Sequence, residues 1–457
     1  MIALALPLLA FQTPGKRLYV EPFATKSGSD ALRGELISEL RKLSGVSLVA
    51  SASDANETIG GGGEVWVKGH RSLNPRSGPS PSHGSPVYGG YLSVELKDAN
   101  GVTLWSDLVT PSGDGDISKD LAKRIAKHLS AAVAAVHPAE PVSSLPQPEL
   151  HLKGAGATFP YPVYAKWFAN YRRANPSVEI DYDAVGSEGG VKKLLAGEVD
   201  FGASDSPEAV AGLGGDPAKY LLFPTVVGAV VPIVNLPGVS GVIQFTPEAL
   251  AGIYLGKIKK WNDPVLKQAN RGVNLPDLDI VVVHRADGSG TSYAFSEFLS
   301  NASAEWRATA GSGLAPKWPL GRAAPGNDGV AKLVKEFGGA IGYVEYIYAL
   351  NNHLSFGKVR NAHGQFVEAS LESTAAAVRS ADGASLTSAP GAGAYPIASF
   401  TWLVVPAHIA DASKRTGMQA FLRWMIGPGQ AQAAALGYLE LPKEVIRRQE
   451  AAIATLN

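Results

Sequence analysis

The chain has 457 residues, too many for one hydrophobic core, so two or three domains are expected. At 45% hydrophobic and 18% charged residues it reads as globular, and a formal net charge of zero argues against a nucleic-acid or anionic-membrane partner. It has no cysteine, so disulfides, thiolate metal sites, a cysteine nucleophile and a lipid-anchor cysteine are not expected.

Residues 1–15 read as a signal or truncated signal segment. Met1–Phe11 is apolar, too short to span a bilayer, and lacks a basic start. No later run reaches ~18 apolar residues, so no transmembrane helix is expected. Residues 16–137 read as a small α/β domain. A strand over 17–21 precedes a helix with Leu32, Leu36, Leu40 and Leu43 on one face. Strands are expected at 46–50, at 64–68 after the glycine run 60–63, at 91–97 and at 102–105, the last two joined by an Asn100-Gly101 turn. Residues 71–90 are Gly/Pro/Ser-rich and read as a mobile loop. A closing helix aligns Leu121, Ile125, Leu129 and Val133. This β-α-β-β-β-β-α order faintly resembles the accessory domains of TolB N-terminal and CsgG-like envelope proteins, which implies an interaction role and an envelope protein partner. The four prolines of 138–148 read as a linker.

Residues 149–457 alternate strands and helices, as βαβ units do. Strands are expected at 150–153, 178–183, 280–284, 341–345 and 400–405. The apolar run 221–234 reads as two strands broken at Gly228. Helices are expected at 161–173, 191–196, from Pro247, from Thr291, and at 411–426, 428–436 and 443–455. The aromatics Tyr164, Trp167, Phe168 and Tyr171 fall on one helix face and read as core.

Three strand-to-helix turns carry the chemistry. A helix opening presents free N–H groups and the positive end of a dipole, which favours an anion. Turn one, 154–160, offers Thr158; its GxG start suggests a dinucleotide loop, but Phe159 fills the third glycine position. Turn two, 186–190, offers Ser187, which could also serve as a simple helix cap. Turn three, 285–291, offers the Arg285 fork, the Ser289 and Thr291 hydroxyls and a close backbone approach at Gly288 and Gly290. Asp287 is expected to hold Arg285 by a salt bridge. A nucleophile elbow on Ser289 would need glycine at 287 and 291, and a Ser289–His284–Asp287 triad would crowd one turn. A hydrolase is therefore disfavoured. Asp205 reads as a helix cap on its own. Beside three donor turns it reads as an acceptor for an anion that carries a proton: hydrogen phosphate has an O–H to give, and sulfate has none.

The segments GAGATFPYPVYAKW, GSEGGVKKL, VDFGASDSP, YLGKIKKWNDP, RADGSGTS and GAIGYVEY occur in order across 149–457. Together they resemble the PstS family, the phosphate-binding proteins of phosphate ABC importers. The resemblance implies a two-lobed type II periplasmic binding protein with a hinge. Lobe I would be about 149–227 and 395–457 and lobe II about 228–394, with crossings near Val227 and Ala394. It also implies that Thr158, Phe159 through its backbone N–H, Ser187 and Asp205 bind phosphate from lobe I, and Arg285, Ser289, Gly290 and Thr291 from lobe II. No cofactor, metal or catalysis is implied; the partners would be inorganic phosphate and an ABC permease complex in the inner membrane, and the location periplasmic. The alternatives are a binder of another oxyanion, such as sulfate or molybdate, or a phosphate-ester hydrolase. Glu188 departs from the family's GSSGG form and is expected to face solvent. Lys257, Lys259 and Lys260 beside Trp261 suggest a docking patch or, as the simpler reading, a solvated loop.

Overall fold

The computed structural model describes residues 16–25, 29–43, 46–72, 84–98, 103–109, 111, 116–135, 148–381, 383, 385–433 and 436–457. The expected signal segment, the Asn100-Gly101 turn and nearly all of the proline-rich linker lie outside them. The chain divides into two compact units, Met1–Pro138 and Ala139–Asn457.

The first unit contains β1 (Lys16–Val20), β2 (Ala24–Thr25), α1 (Ser29–Leu40), β3 (Val46–Leu48), β4 (Glu57–Ser72), β5 (Gly84–Asp98), β6 (Thr103–Val109) and α2 (Ile117–Ala135). Its sheet runs β3-β1-β4-β5-β6, with β2 beside β4. The leucine stripes do what their spacing dictates. Leu32, Leu36 and Leu40 of α1 and Leu121, Ile125 and Leu129 of α2 are buried against Leu18, Val20, Ile59, Leu92 and Val94 of the sheet. Two expectations fail. The glycine run 60–63 lies inside β4, paired with residues 92–95 of β5. The segment read as a loop from 71 to 90 is strand at both ends, Arg71–Ser72 and from Gly84 onward, because the two long strands pair along most of their length. Residues 73–83 lie outside the described ones.

The second unit contains β7 (Leu150–Gly156), α3 (Tyr161–Ala174), β8 (Val178–Asp183), α4 (Ser187–Leu195), β9 (Phe201–Ser204), α5 (Ala209–Gly212), β10 (Tyr220–Asn235), β11 (Gln244–Phe245), α6 (Pro247–Tyr254), α7 (Pro264–Ala269), β12 (Val281–Arg285), α8 (Gly290–Ala302), α9 (Ala304–Thr309), β13 (Arg322–Ala324), α10 (Gly326–Glu336), β14 (Ala340–Glu345), α11 (Tyr346–Asn351), β15 (Ser355–Phe356), β16 (Lys358–Arg360), β17 (Phe366–Val367), α12 (Leu371–Ser380), β18 (Ala398–Pro406), α13 (Ala412–Ile426) and α14 (Lys443–Ala454). One continuous path of strands runs β13-β12-β14-β10-β18-β9-β7-β8, with β15 beside β10. β7 is parallel to β8 and β9, and β12 is parallel to β13 and β14.

β10 joins the two halves. Its residues 220–229 pair with β18, and its residues 230–235 pair with β14. Gly228, expected to break this run, sits in register opposite Ser399 and the strand continues through it. The helix expected at 428–436 is a single 3-10 turn, Gln430–Gln432, among the described residues. The aromatics of α3 are core as expected, with Tyr164 and Phe168 packed on Tyr182, and Tyr171 on Phe421. Trp261 is fully buried, donates to the Gly339 carbonyl at 2.9 Å and presents no docking surface.

Helix α4 lies directly on β7. A Cβ on Gly190 would come within 2.2 Å of the Gly156 Cα and 2.3 Å of the Ala155 carbonyl, whereas one on Gly212 would meet nothing within 4 Å. Gly190→Ala is therefore expected to lower stability by about 1–3 kcal/mol through overpacking, with Gly212→Ala near neutral. Denaturant midpoints test this; equal midpoints for the two variants would refute the packing argument.

Candidate anion-binding cleft

In open α/β sheets, ligands gather beyond the carboxyl ends of the strands. Here those ends converge. β7 leads to Thr158 and Phe159, β8 to Ser187, β9 to Asp205, β12 to Arg285, β13 to Asn327 and β14 to Glu345. All of these residues are buried, Thr158 least so at 8% exposed.

Contacts between and within the halves define the cleft. The Gly290 N–H donates to Ser187 Oγ at 3.0 Å, and the Asp205 N–H reaches the same oxygen at 3.4 Å. Ser187 therefore does not cap its own helix; Gly186 holds the N-cap position of α4. The Glu188 N–H donates to the Gly288 carbonyl at 3.0 Å. Asn327 Nδ2 donates to Thr158 Oγ1 at 2.9 Å and to Thr291 Oγ1 at 3.3 Å. Tyr348 OH donates to the Thr158 carbonyl at 2.6 Å, and Tyr438 OH to the Phe159 carbonyl at 2.7 Å.

Arg285 is aimed by Asp287. Its Nε donates to Asp287 Oδ1 at 2.9 Å and its Nη2 pairs with Oδ2, a bidentate fork, while Nη1 reaches Thr291 Oγ1 at 3.4 Å. Burial raises the Asp287 pKa, but the Arg285 pair and the Gly326 N–H outweigh it and hold the carboxyl below its usual value. Ser289 Oγ accepts from the Ser292 N–H at 3.1 Å as the N-cap of α8. His284 turns away and stacks on Trp318, with ring centroids 5.0 Å apart. Glu188 lies at the rim with its carboxylate on Lys192 at 2.5 Å and its side chain against Gly288. It is thus neither among the donors nor free in solvent as expected.

Asp205 does not cap a helix. Its Oδ1 accepts from the Thr401 hydroxyl. Its Oδ2 is buried and has no partner among the described residues. That oxygen lies against Gly290, where an added Cβ would stand 2.4 Å from it. Burial pushes the Asp205 carboxyl up to about 7, and the Thr401 hydrogen bond and the Arg285 charge only partly offset it. Glu345 is a second buried carboxyl, pushed well up by burial. Its Oε2 accepts from the Ile347 N–H at 2.9 Å.

The sequence reading passed over Asn327, Tyr348 and Thr401 and assigned Glu345 no role. Asn327 had a signal: Pro325-Gly326 before the periodic Val330, Ala331 and Val334 is a fourth turn-to-helix opening. Among the described residues no group of three or more His, Asp or Glu is placed to hold a metal ion, and no helix is long and apolar enough to cross a membrane.

The family model described as "PBP superfamily domain" matches residues 131–428. Two relatives named phosphate-binding protein PstS are each 41% identical. The one from Pasteurella multocida matches over 308 residues, 66% of this chain and 89% of its own. The one from Xylella fastidiosa matches over 324 residues, 68% and 87%. The chain belongs to the PstS family of the PBP superfamily. A solved structure titled as a high affinity periplasmic phosphate-binding protein bound with phosphate shares the fold. It has a TM-score of 0.52 at 22% identity, over 66% of this chain and 93% of that one. The expected likeness of residues 16–137 to TolB N-terminal and CsgG-like domains is not borne out: the family match begins at residue 131, and no envelope protein partner is supported.

A buried carboxyl with a raised pKa makes stability pH-dependent. From roughly pH 4 to 7, folded Asp205 keeps a proton that the unfolded chain has released, so stability falls as pH rises through that window. Thermal melting of the anion-free protein at pH 5 and pH 8 is expected to show a larger drop for wild type than for Asp205→Asn. Parallel melting curves would contradict the assignment.

Proposed function

We propose that this chain captures inorganic phosphate in the cleft and presents it to the permease of an ABC importer, outside the cytoplasm. Phosphate binding is what the names of its relatives state of them. The observation that carries the reading here is the bare Asp205 Oδ2 among donors. Thr158, Phe159 through its N–H, Ser187, Arg285, Ser289, Gly290 and Thr291 supply hydrogen bonds, and Asp205 takes the one proton that hydrogen phosphate brings. Asp287 supports Arg285. Once Asp205 is ionised, sulfate would leave its oxygen unmatched, and a buried mismatch is costly.

Capture works by closure. Lobe I (about 149–227 and 395–457) and lobe II (about 228–394) turn about the crossings near Val227 and Ala394. An anion touching both lobes stabilises the closed form, which the permease would recognise. The reaction makes and breaks no bond. We assign no partner to residues 16–137.

Calorimetry with phosphate, arsenate, sulfate and molybdate tests the reading. Phosphate is expected to bind about 10⁴-fold or more tightly than sulfate. Sulfate binding as tight as phosphate would sink the role of Asp205. Asp205→Asn is expected to weaken phosphate about 10- to 100-fold by losing a charge-assisted hydrogen bond, with less loss for sulfate. An unchanged affinity ratio would count against it.

A further inference from the structure

Asn327 opens α10 and is fully buried. Its Oδ1 accepts from the Glu345 N–H at 2.9 Å. A backbone N–H can only donate, so this contact fixes which end of the amide is oxygen. The other end, Nδ2, carries two hydrogens and can only give them. Its partners are the hydroxyl oxygens of Thr158 at 2.9 Å and of Thr291 at 3.3 Å. Arg285 Nη1 gives a further hydrogen bond to Thr291 Oγ1 at 3.4 Å. A hydroxyl oxygen that already receives a hydrogen has its own hydrogen left to give.

We propose that Asn327 is a positioning residue that turns the Thr158 and Thr291 hydroxyl hydrogens toward the anion, one from each side of the cleft. The role rests on the phosphate reading above. With Arg285, Asn327 fills both acceptor positions of Thr291, and it takes one of the two on Thr158, leaving each hydroxyl hydrogen free to be given. Each then suits an anion oxygen that accepts. Thr158 is held independently through its carbonyl by Tyr348, so its loop does not depend on Asn327 for its place.

Asn327→Asp tests this in the full chain. It keeps the shape and the contact with the Glu345 N–H but puts an acceptor where the donor was, so both hydroxyl hydrogens turn to it. Its new charge would also repel the anion. Calorimetry with inorganic phosphate is therefore run in wild type and in a Thr158→Val/Thr291→Val background, which has no hydroxyl to turn. The loss from Asn327→Asp is expected to be about 100-fold in wild type and about tenfold or less in the valine background, two misdirected hydrogen bonds accounting for the difference. Equal losses in both backgrounds reduce the effect to charge and overturn the role, as does an unchanged affinity. If the aspartate variant does not fold by thermal melting, Asn327→Ala decides. It is expected to lose about tenfold, and no loss overturns the role. A wild type that binds other oxyanions but not phosphate overturns the parent reading and this role together, whereas a wild type that binds phosphate with unaffected variants overturns this role alone.

Discussion

The structure of the cleft depends on a buried carboxyl oxygen with no partner among the described residues. Asp205 Oδ2 sits against Gly290, close to the Ser187, Arg285 and Thr291 donors. Leaving such a group unmatched costs on the order of 1–3 kcal/mol, more when it is charged. The rest of the site compensates: Thr401 satisfies the other oxygen, Arg285 supplies positive potential, and glycine at 290 admits the carboxylate against the backbone. A ligand that brings both acceptor oxygens and one proton removes the mismatch.

The sheet positions these groups. Parallel strands aim their carboxyl ends at one place from each side, and β10 runs through both halves, so the two sets of turns face one another. The donors then meet across the cleft, Ser187 with Gly290 and Thr158 with Thr291 through Asn327. Specificity and closure are one matter in this geometry, because neither half alone holds a full set of donors around the Asp205 oxygen.

Much of this was legible in the sequence. The turns 154–160, 186–190 and 285–291 lie between strands and helices as their Gly/Ser/Thr pattern implies, and Asp287 holds Arg285. What escaped was long-range. Thr401 meets Asp205 across 196 positions and Asn327 meets Thr158 across 169, and no local pattern encodes such pairs. Glycine misled twice. The run 60–63 and Gly228 read as breaks, yet cross-strand pairing keeps each within a long strand. Glu188 was misplaced because helix-end preference ignores the facing lobe, whose Gly288 packs against it.

Capture as proposed requires that an anion close two lobes that separate without it. The chain has no cysteine, so one introduced at exposed Glu198 in lobe I and one at exposed Lys317 in lobe II would carry spin labels without background. Pulsed electron resonance distances are expected to be longer and broader in phosphate-free protein, and to collapse to a single shorter distance with phosphate but not with sulfate. A distance distribution that does not respond to phosphate, or that responds equally to sulfate, would rule out phosphate-driven closure.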